Sequence, residues 1–306
     1  MSMTKKKRVY GFVGPTASGK TALSLHLAKV LDGEILCMDS MQVYKYMDIG
    51  TAKPTQSEKA IAPHHLFDVA MPGNVFSVRD YTKLAQPLLE SIQCPILVGG
   101  TGLYLRSLSL PLDFGFVRGD DTLRNQYMDF AIEHGNEALH ERLKQCDPIS
   151  AEKLHPNDVR RVSRALEVYD LTGSPFSSQV MPTSDDAPYD FRLFAVDMPR
   201  ELLYDRVNKR VDIMMKEGLL EEVKALLAMG IPKDAQAMKG LGYKELIAYL
   251  DGKMSLEDSV DFLKQKTRNY AKRQLTWFRP DKRIEWISYN PNIEIMQKKL
   301  EQLLEK

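Results

Sequence analysis

The 306-residue chain has little cysteine: Cys37, Cys94 and Cys146 are odd in number and far apart. No C-x-x-C pair occurs, which argues against a zinc site, and nothing in the composition suggests a disulfide scaffold. Free thiols without an export signal point to a reducing, cytoplasmic setting. Long apolar runs are also missing. None approaches the roughly 18 residues of a membrane span, so no membrane partner is expected. The start, MSMTKKKRVYGFVG, is basic and then apolar, as a signal peptide is. Its apolar run is short and ends in a glycine-rich motif, which fits a buried first strand better. An excess of one charge is absent as well: 42 Lys and Arg face 41 Asp and Glu, a net charge of +1. That excludes a global basic field for nucleic acid and leaves only local patches. Repeats and low-complexity tracts do not occur.

What is present is ample core material, 43% hydrophobic residues with 27% charged, in a length that suits one large domain or two modest ones. The first hundred residues alternate in an α/β manner. Val9–Val13, Glu34–Met38 and Pro95–Val98 read as strands, and Gly19–Leu31 and Val78–Ile92 as helices. This order implies a parallel sheet covered on both faces, with ligands bound beyond the carboxyl ends of its strands. From Asp120 the pattern turns helical: Asp121–His134, Asn136–Gln145 and Asn157–Leu171, broken at Pro148 and Pro156. Thr172–Pro188 reads as a loop, and Phe191–Val196 as a returning strand. Helices are expected over Arg200–Met229, Gly242–Leu250 and Ser255–Phe278. The expectation is an α/β core of residues 1–114 and 186–306, with a helical insertion at 115–185.

The strongest signal is Gly14-Pro15-Thr16-Ala17-Ser18-Gly19-Lys20-Thr21, a G-x-x-x-x-G-K-[ST] loop between a strand and a helix. Glycines let backbone amides close around phosphate oxygens, and the helix N-terminus adds partial positive charge. Lys20 adds a full charge, and the Thr21 hydroxyl suits a Mg²⁺ ion. The loop specifies a polyphosphate, not the reaction; a diphosphate leaving group needs the same cradle as a nucleotide. Asp39 follows the second strand. A carboxylate there can hold Mg²⁺, bind a ribose, act as a general base or cap a turn. Ser40 and Gln42 beside it offer donors and acceptors for a base-reading pocket. Lys264 to Arg283 carries eight Lys or Arg and one Asp. His64 and His65 form an isolated pair, read as structural or substrate-lining rather than metal-binding.

Seven strings in order resemble the tRNA dimethylallyltransferase family, also called tRNA isopentenyltransferases. They are GPTASGKT at Gly14–Thr21, DSMQVYKYMDIGTAKP at Asp39–Pro54, PHHLFDV at Pro63–Val69, GGTGLY at Gly99–Tyr104, DVRRVSRALEVY at Asp158–Tyr169, GYKEL at Gly242–Leu246 and TRNYAKRQLTWFR at Thr267–Arg279. The resemblance covers nearly the whole chain. It implies a P-loop NTPase-like parallel-sheet core and a prenyl transfer. The N6 amine of the adenosine 3′ of the tRNA anticodon attacks C1 of dimethylallyl diphosphate. The phosphate loop would hold the diphosphate with Mg²⁺ at Thr21, Thr16 would donate to the bridging oxygen, and Arg210 would face the diphosphate. Asp39 would be the base that accepts the N6 proton. Asp39, Ser40, Met41, Gln42 and Thr101 would surround the target base, which must leave the anticodon stack. The stretch Arg160, Arg161, Val162, Ser163 and Arg164 would touch tRNA. So would Lys264, Arg268 and Lys272, a stripe repeating every four residues. Trp277 is expected in the core, anchoring its helix. A monomer is expected, with the anticodon stem-loop held between core and insertion. A small-molecule kinase, a free-nucleotide prenyltransferase and a non-catalytic RNA-binding module are the rival readings. The helical insertion and basic C-terminal helix favour a large RNA over a free nucleotide. An intact Lys20, Thr21 and Asp39 argue against a relic loop.

Overall fold

The structure, a computed structural model, describes residues 6–110, 120–178 and 187–305. By compactness the chain divides into two units: residues 1–109 with 187–306, and residues 110–186. Both boundaries expected from the sequence, at 114/115 and 185/186, lie outside the described residues.

The first unit is built on parallel strands β1 (Arg8–Val13), β2 (Glu34–Cys37), β3 (His64–His65), β4 (Pro95–Gly99), β5 (Asp190–Asp197) and β6 (Ile284–Ser288). Their order across the sheet is β3-β2-β4-β1-β5-β6, and every pairing is parallel. The alternation of side chains explains why the strands read as continuous apolar runs. Val9, Val13, Leu36, Leu97, Leu193 and Ala195 feed the core on one face. Phe12, Ile35, Ile96, Phe194, Val196 and Ile287 feed the core on the other. A sheet buried on both faces needs both sets apolar.

The helices are α1 (Lys20–Leu31), α2 (Gln56–Lys59), α3 (Val78–Ser91), α4 (Gly102–Ser109), α5 (Asp121–His134), α6 (Asn136–Cys146), α7 (Pro148–Lys153), α8 (Val159–Thr172), α9 (Arg200–Lys216), α10 (Leu219–Ala228), α11 (Tyr243–Leu250), α12 (Leu256–Phe278) and α13 (Ile293–Leu304). Local chemistry marks several ends. Ser77 and Asp80 form a capping box at α3, and the Ser255 side chain accepts from the Asp258 amide at α12. The single helix expected over Arg200–Met229 is two. Gly218 adopts φ 101°, a left-handed conformation that ends α9 and starts α10. Helix α4, strand β6 and helix α13 were not anticipated; each is short or borders a charge-rich segment.

The second unit holds α5 to α8. Ala131, Leu139, Leu143, Ala151, Val162, Ala165 and Leu166 form its core. Within it the Glu167 carboxylate is fully buried. It accepts from the Asp120 amide at 2.7 Å and the Arg124 guanidinium at 3.0 and 3.1 Å, and lies 2.8 Å from the Arg164 guanidinium. A buried carboxylate needs this neutralisation. No helix among the described residues is long and apolar enough to cross a membrane.

Candidate active site

Three neighbouring strands, β2, β4 and β1, end on one side of the sheet, and the sequence motifs follow each of them. The phosphate loop follows β1, Asp39 follows β2, and Gly100 and Thr101 follow β4. Residues 16–21 of the loop, Asp39, Gly99 and Gly100 line a cavity of about 470 Å³. Ser40, Met41, Gln42, Arg206, Arg210, Tyr243, Tyr270 and Gln274 complete much of its wall.

At the phosphate-loop end, helix α1 starts at Lys20 and directs its N-terminus at the cavity. The Lys20 ammonium donates to the Pro15 carbonyl at 2.6 Å. Burial, with the nearby Arg210 cation, pushes its pKa down to about 7; Asp39 acts in the opposite sense. Burial likewise lowers the Arg210 pKa, opposed by Asp39. Among the described residues, the buried Ser18 Oγ and Arg210 Nε have no hydrogen-bond partner. Two desolvated cations, orphaned donors and a helix N-terminus form an anion site. They fit a diphosphate.

Thr21 is exposed and borders the same cavity. Among the described residues no group of three or more His, Cys, Asp or Glu is arranged to hold a metal. This donor set fits an ion bound as Mg²⁺ often is, by substrate phosphates and water with one protein hydroxyl. His64 instead contacts the Ala62 carbonyl through Nδ1, and His65 pairs with Glu34 at 2.6 Å.

At the other end, one oxygen of Asp39, Oδ1, accepts from the amides of Met41 at 2.9 Å and Gln42 at 3.4 Å. The acid therefore shapes its own turn, as a capping residue does, while its carboxylate faces the cavity. The Ser40 amide donates to Thr101 Oγ1 at 3.0 Å, joining the ends of β2 and β4. Gln42 Nε2 donates to the carbonyls of Thr51 and Ala52 at 2.9 and 3.0 Å.

Some residues that build the site escaped the sequence reading. Gln274 on α12 accepts from the Thr16 amide at 2.9 Å and donates to the Gly100 carbonyl at 3.0 Å. It thus pins the phosphate loop to the end of β4. A Cβ at Gly100 would lie 1.9 Å from Gln274 Nε2, so any larger residue there displaces that amide and the bonds it makes. Arg206 donates to the Ala17 carbonyl at 2.8 Å. Gln274 stands inside TRNYAKRQLTWFR, whose basic and aromatic residues carry the stronger signal in sequence.

The expected RNA contacts fare unevenly. Val162 and Ser163 are fully buried in the helical unit and are not surface contacts. Arg164 is committed to Glu167. Arg160 and Arg161 are exposed, Arg161 beside Asp158 at 3.2 Å. On α12, Lys264 pairs with Asp212 at 2.7 Å and Arg268 donates to Asn208 at 2.7 Å. Both tie α12 to α9, and Lys272 stays exposed. Trp277, expected in the core, is 46% exposed. Tyr270 instead lines the cavity, where burial raises its pKa.

An α/β protein with a phosphate loop and a carboxylate across one cavity is a P-loop NTPase-like enzyme core. The family model for IPP transferase matches residues 42–281. A tRNA dimethylallyltransferase from Alkaliphilus oremlandii is 49% identical over 285 residues, covering 92% of this chain and 91% of that protein. A full-length tRNA isopentenylpyrophosphate transferase structure from Bacillus halodurans aligns at TM-score 0.71 and 43% identity, covering 98% of both chains. A eukaryotic dimethylallyltransferase solved acting on tRNA aligns at TM-score 0.82 and 29% identity, covering 97% of this chain and 78% of that one. The chain belongs to the IPP transferase family.

Proposed function

We propose that this protein is a tRNA dimethylallyltransferase, moving the prenyl group of dimethylallyl diphosphate to N6 of the adenosine 3′ of the anticodon. The observation that carries the reading is a cavity with an anion cradle at one end and Asp39 at the other. A relative at 49% identity bears that activity as its name.

In this reading the phosphate loop, Lys20 and Arg210 bind the donor's diphosphate, and Thr16 donates to the bridging oxygen. Thr21 would hold a Mg²⁺ ion, which would share the leaving group's charge. The flipped adenine lies against Asp39, Ser40, Met41, Gln42 and Thr101. Its N6 lone pair is delocalised into the ring, so the amine is a weak nucleophile. As N6 bonds to C1 of the donor, the C1–oxygen bond breaks, diphosphate departs, and the N6 proton passes to Asp39. Arg210 and the Lys20 ammonium, the form a bound diphosphate favours, stabilise charge as it develops on the leaving oxygen. Arg160, Arg161 and Lys272 meet RNA phosphates, while Lys264, Arg268 and Arg164 act through their protein partners.

The test supplies purified protein, Mg²⁺ and unmodified anticodon stem-loop RNA with either dimethylallyl diphosphate or γ-labelled ATP, and analyses the digested RNA by mass. Isopentenyladenosine formed with the prenyl donor alone is the expected result. Label moved from ATP to a small acceptor, with no prenylated RNA, would make the protein a kinase.

A further inference from the structure

The motifs DIGTAKP and GYKEL have no role in the chemistry above, yet they meet at one carboxylate. Glu222 on α10 accepts four hydrogen bonds. Oε2 takes the amides of Asp48 at 2.8 Å and Ile49 at 2.7 Å, and Oε1 takes the amide of Gly50 at 3.0 Å and the Tyr243 hydroxyl at 2.7 Å. Three consecutive backbone N–H groups aimed at one carboxylate are an anion nest filled from within the protein. Tyr243 is fully buried, and burial with Glu222 raises its pKa well above the usual phenol value. Gly50 lies flat on its ring, where a Cβ would be 2.6 Å from Cζ and the hydroxyl oxygen.

The segment held this way reaches the cavity in the next two residues. The carbonyls of Thr51 and Ala52 take both Gln42 Nε2 bonds. The Gln42 backbone N–H donates to Asp39 Oδ1 at 3.4 Å. From the opposite side, the buried Lys53 ammonium donates to the Tyr44 carbonyl at 2.6 Å and to Asp48 and Asp68 at 2.7 and 2.6 Å. Ala52, between these anchors, holds φ 47°, which a side-chain-bearing residue rarely adopts unaided. The connection runs from Glu222 through the turn to Gln42 and Asp39, and bypasses the phosphate loop.

We propose that Glu222, with Tyr243 against it, is a positioning residue for the acceptor base: it fixes the 48–52 turn, whose carbonyls hold the Gln42 side chain, so that the Asp39–Gln42 wall of the cavity meets the adenine in one orientation. The inference rests on the transferase reading and assigns a specificity of effect. Loss of Glu222 should damage use of RNA and spare use of the prenyl donor.

The experiment is steady-state prenylation of anticodon stem-loop RNA by the wild-type protein and by Glu222→Ala, Glu222→Gln, Tyr243→Phe, Gln42→Ala and the Glu222→Ala/Gln42→Ala pair. For Glu222→Ala, kcat/KM for RNA is expected to fall by roughly 10–100-fold, the cost of misplacing a reacting group by about an ångström. KM for dimethylallyl diphosphate is expected to stay within about twofold. Glu222→Gln keeps one accepting oxygen and the side chain's volume, so it should fall between and serves if the alanine variant does not fold. Tyr243→Phe should shift the same constant by less. The paired variant should be no worse than the poorer single by more than about twofold, because both changes break one chain of contacts. Equal losses toward RNA and donor, or multiplied losses in the pair, would leave Glu222 a general structural anchor and overturn the inference. An active wild-type protein with an indifferent Glu222→Ala overturns it alone. An inactive wild-type protein overturns the transferase reading and this inference with it.

Discussion

The two ends of the cavity are built by different means. The phosphate loop draws most of its shape from eight consecutive residues and the helix they start, with Gln274 and Arg206 bonding Thr16 and Ala17 from outside. The Asp39–Ala52 end is assembled from distant parts, with Glu222, Tyr243 and Thr101 each reaching in from elsewhere in the chain. A short local motif suffices where the ligand is a symmetric anion, since backbone amides and one ammonium can surround it. Reading one edge of one base needs side chains fixed to a fraction of an ångström, and remote contacts supply that rigidity. Gln274 links the two ends by bonding the phosphate loop and the end of β4 together.

Changes at each end should therefore separate donor from acceptor constants. Lys20→Ala should give the largest effect on the donor side, lowering kcat/KM for dimethylallyl diphosphate by roughly 10²–10³, as loss of one preformed charge-stabilising donor does. RNA retention on filters should barely change. Gly100→Ala tests the link. Its Cβ has no room beside Gln274, so urea denaturation should show a loss of about 1–3 kcal/mol. Both kinetic constants should worsen together, unlike any change confined to one end.

Smaller effects sharpen the contrast among the basic residues. Lys272→Ala should weaken RNA binding modestly and lower the log–log salt slope by roughly 0.7–0.9. Arg164→Ala should leave that slope alone and destabilise the protein by roughly 1–3 kcal/mol, since Glu167 keeps its burial and loses a cation.

The smallest signal concerns a proton. In the free protein Lys20 titrates near 7, below its ordinary value, so at about pH 8.5 it is largely neutral. A bound diphosphate favours the ammonium and raises that value. Donor binding should take up part of a proton at about pH 8.5, where the donor is itself fully ionised. Uptake should vanish at about pH 6, where Lys20 is already charged. Calorimetry in buffers of different ionisation enthalpy measures it, and zero uptake at the higher pH would show that the cation is already present.

Legibility in the sequence followed the same division. Gly14–Thr21 could be read residue by residue because its neighbours along the chain are its neighbours in space. Helices with a strong apolar period or a clear cap, such as Asp121–His134, emerged with their ends in place. Gly218 was hidden in an otherwise helical pattern, because a glycine marks a break only once its φ is known. Arg164, Lys264 and Arg268 looked alike as surface cations; their partners Glu167, Asp212 and Asn208 follow from packing, which periodicity does not encode. Glu222 and Gln274 carry no local signal, since each gains its role from backbone groups remote in sequence.

The most direct measurement is the single-turnover rate of isopentenyladenosine formation by Asp39→Ala, with donor and stem-loop RNA both saturating, beside the RNA affinity of the same protein. The expected result is a rate lowered by about 10²–10⁴ at near-normal affinity, the range for loss of a general base. A wild-type rate in that variant would remove Asp39 from the chemistry and contradict the account of the cavity's acceptor end.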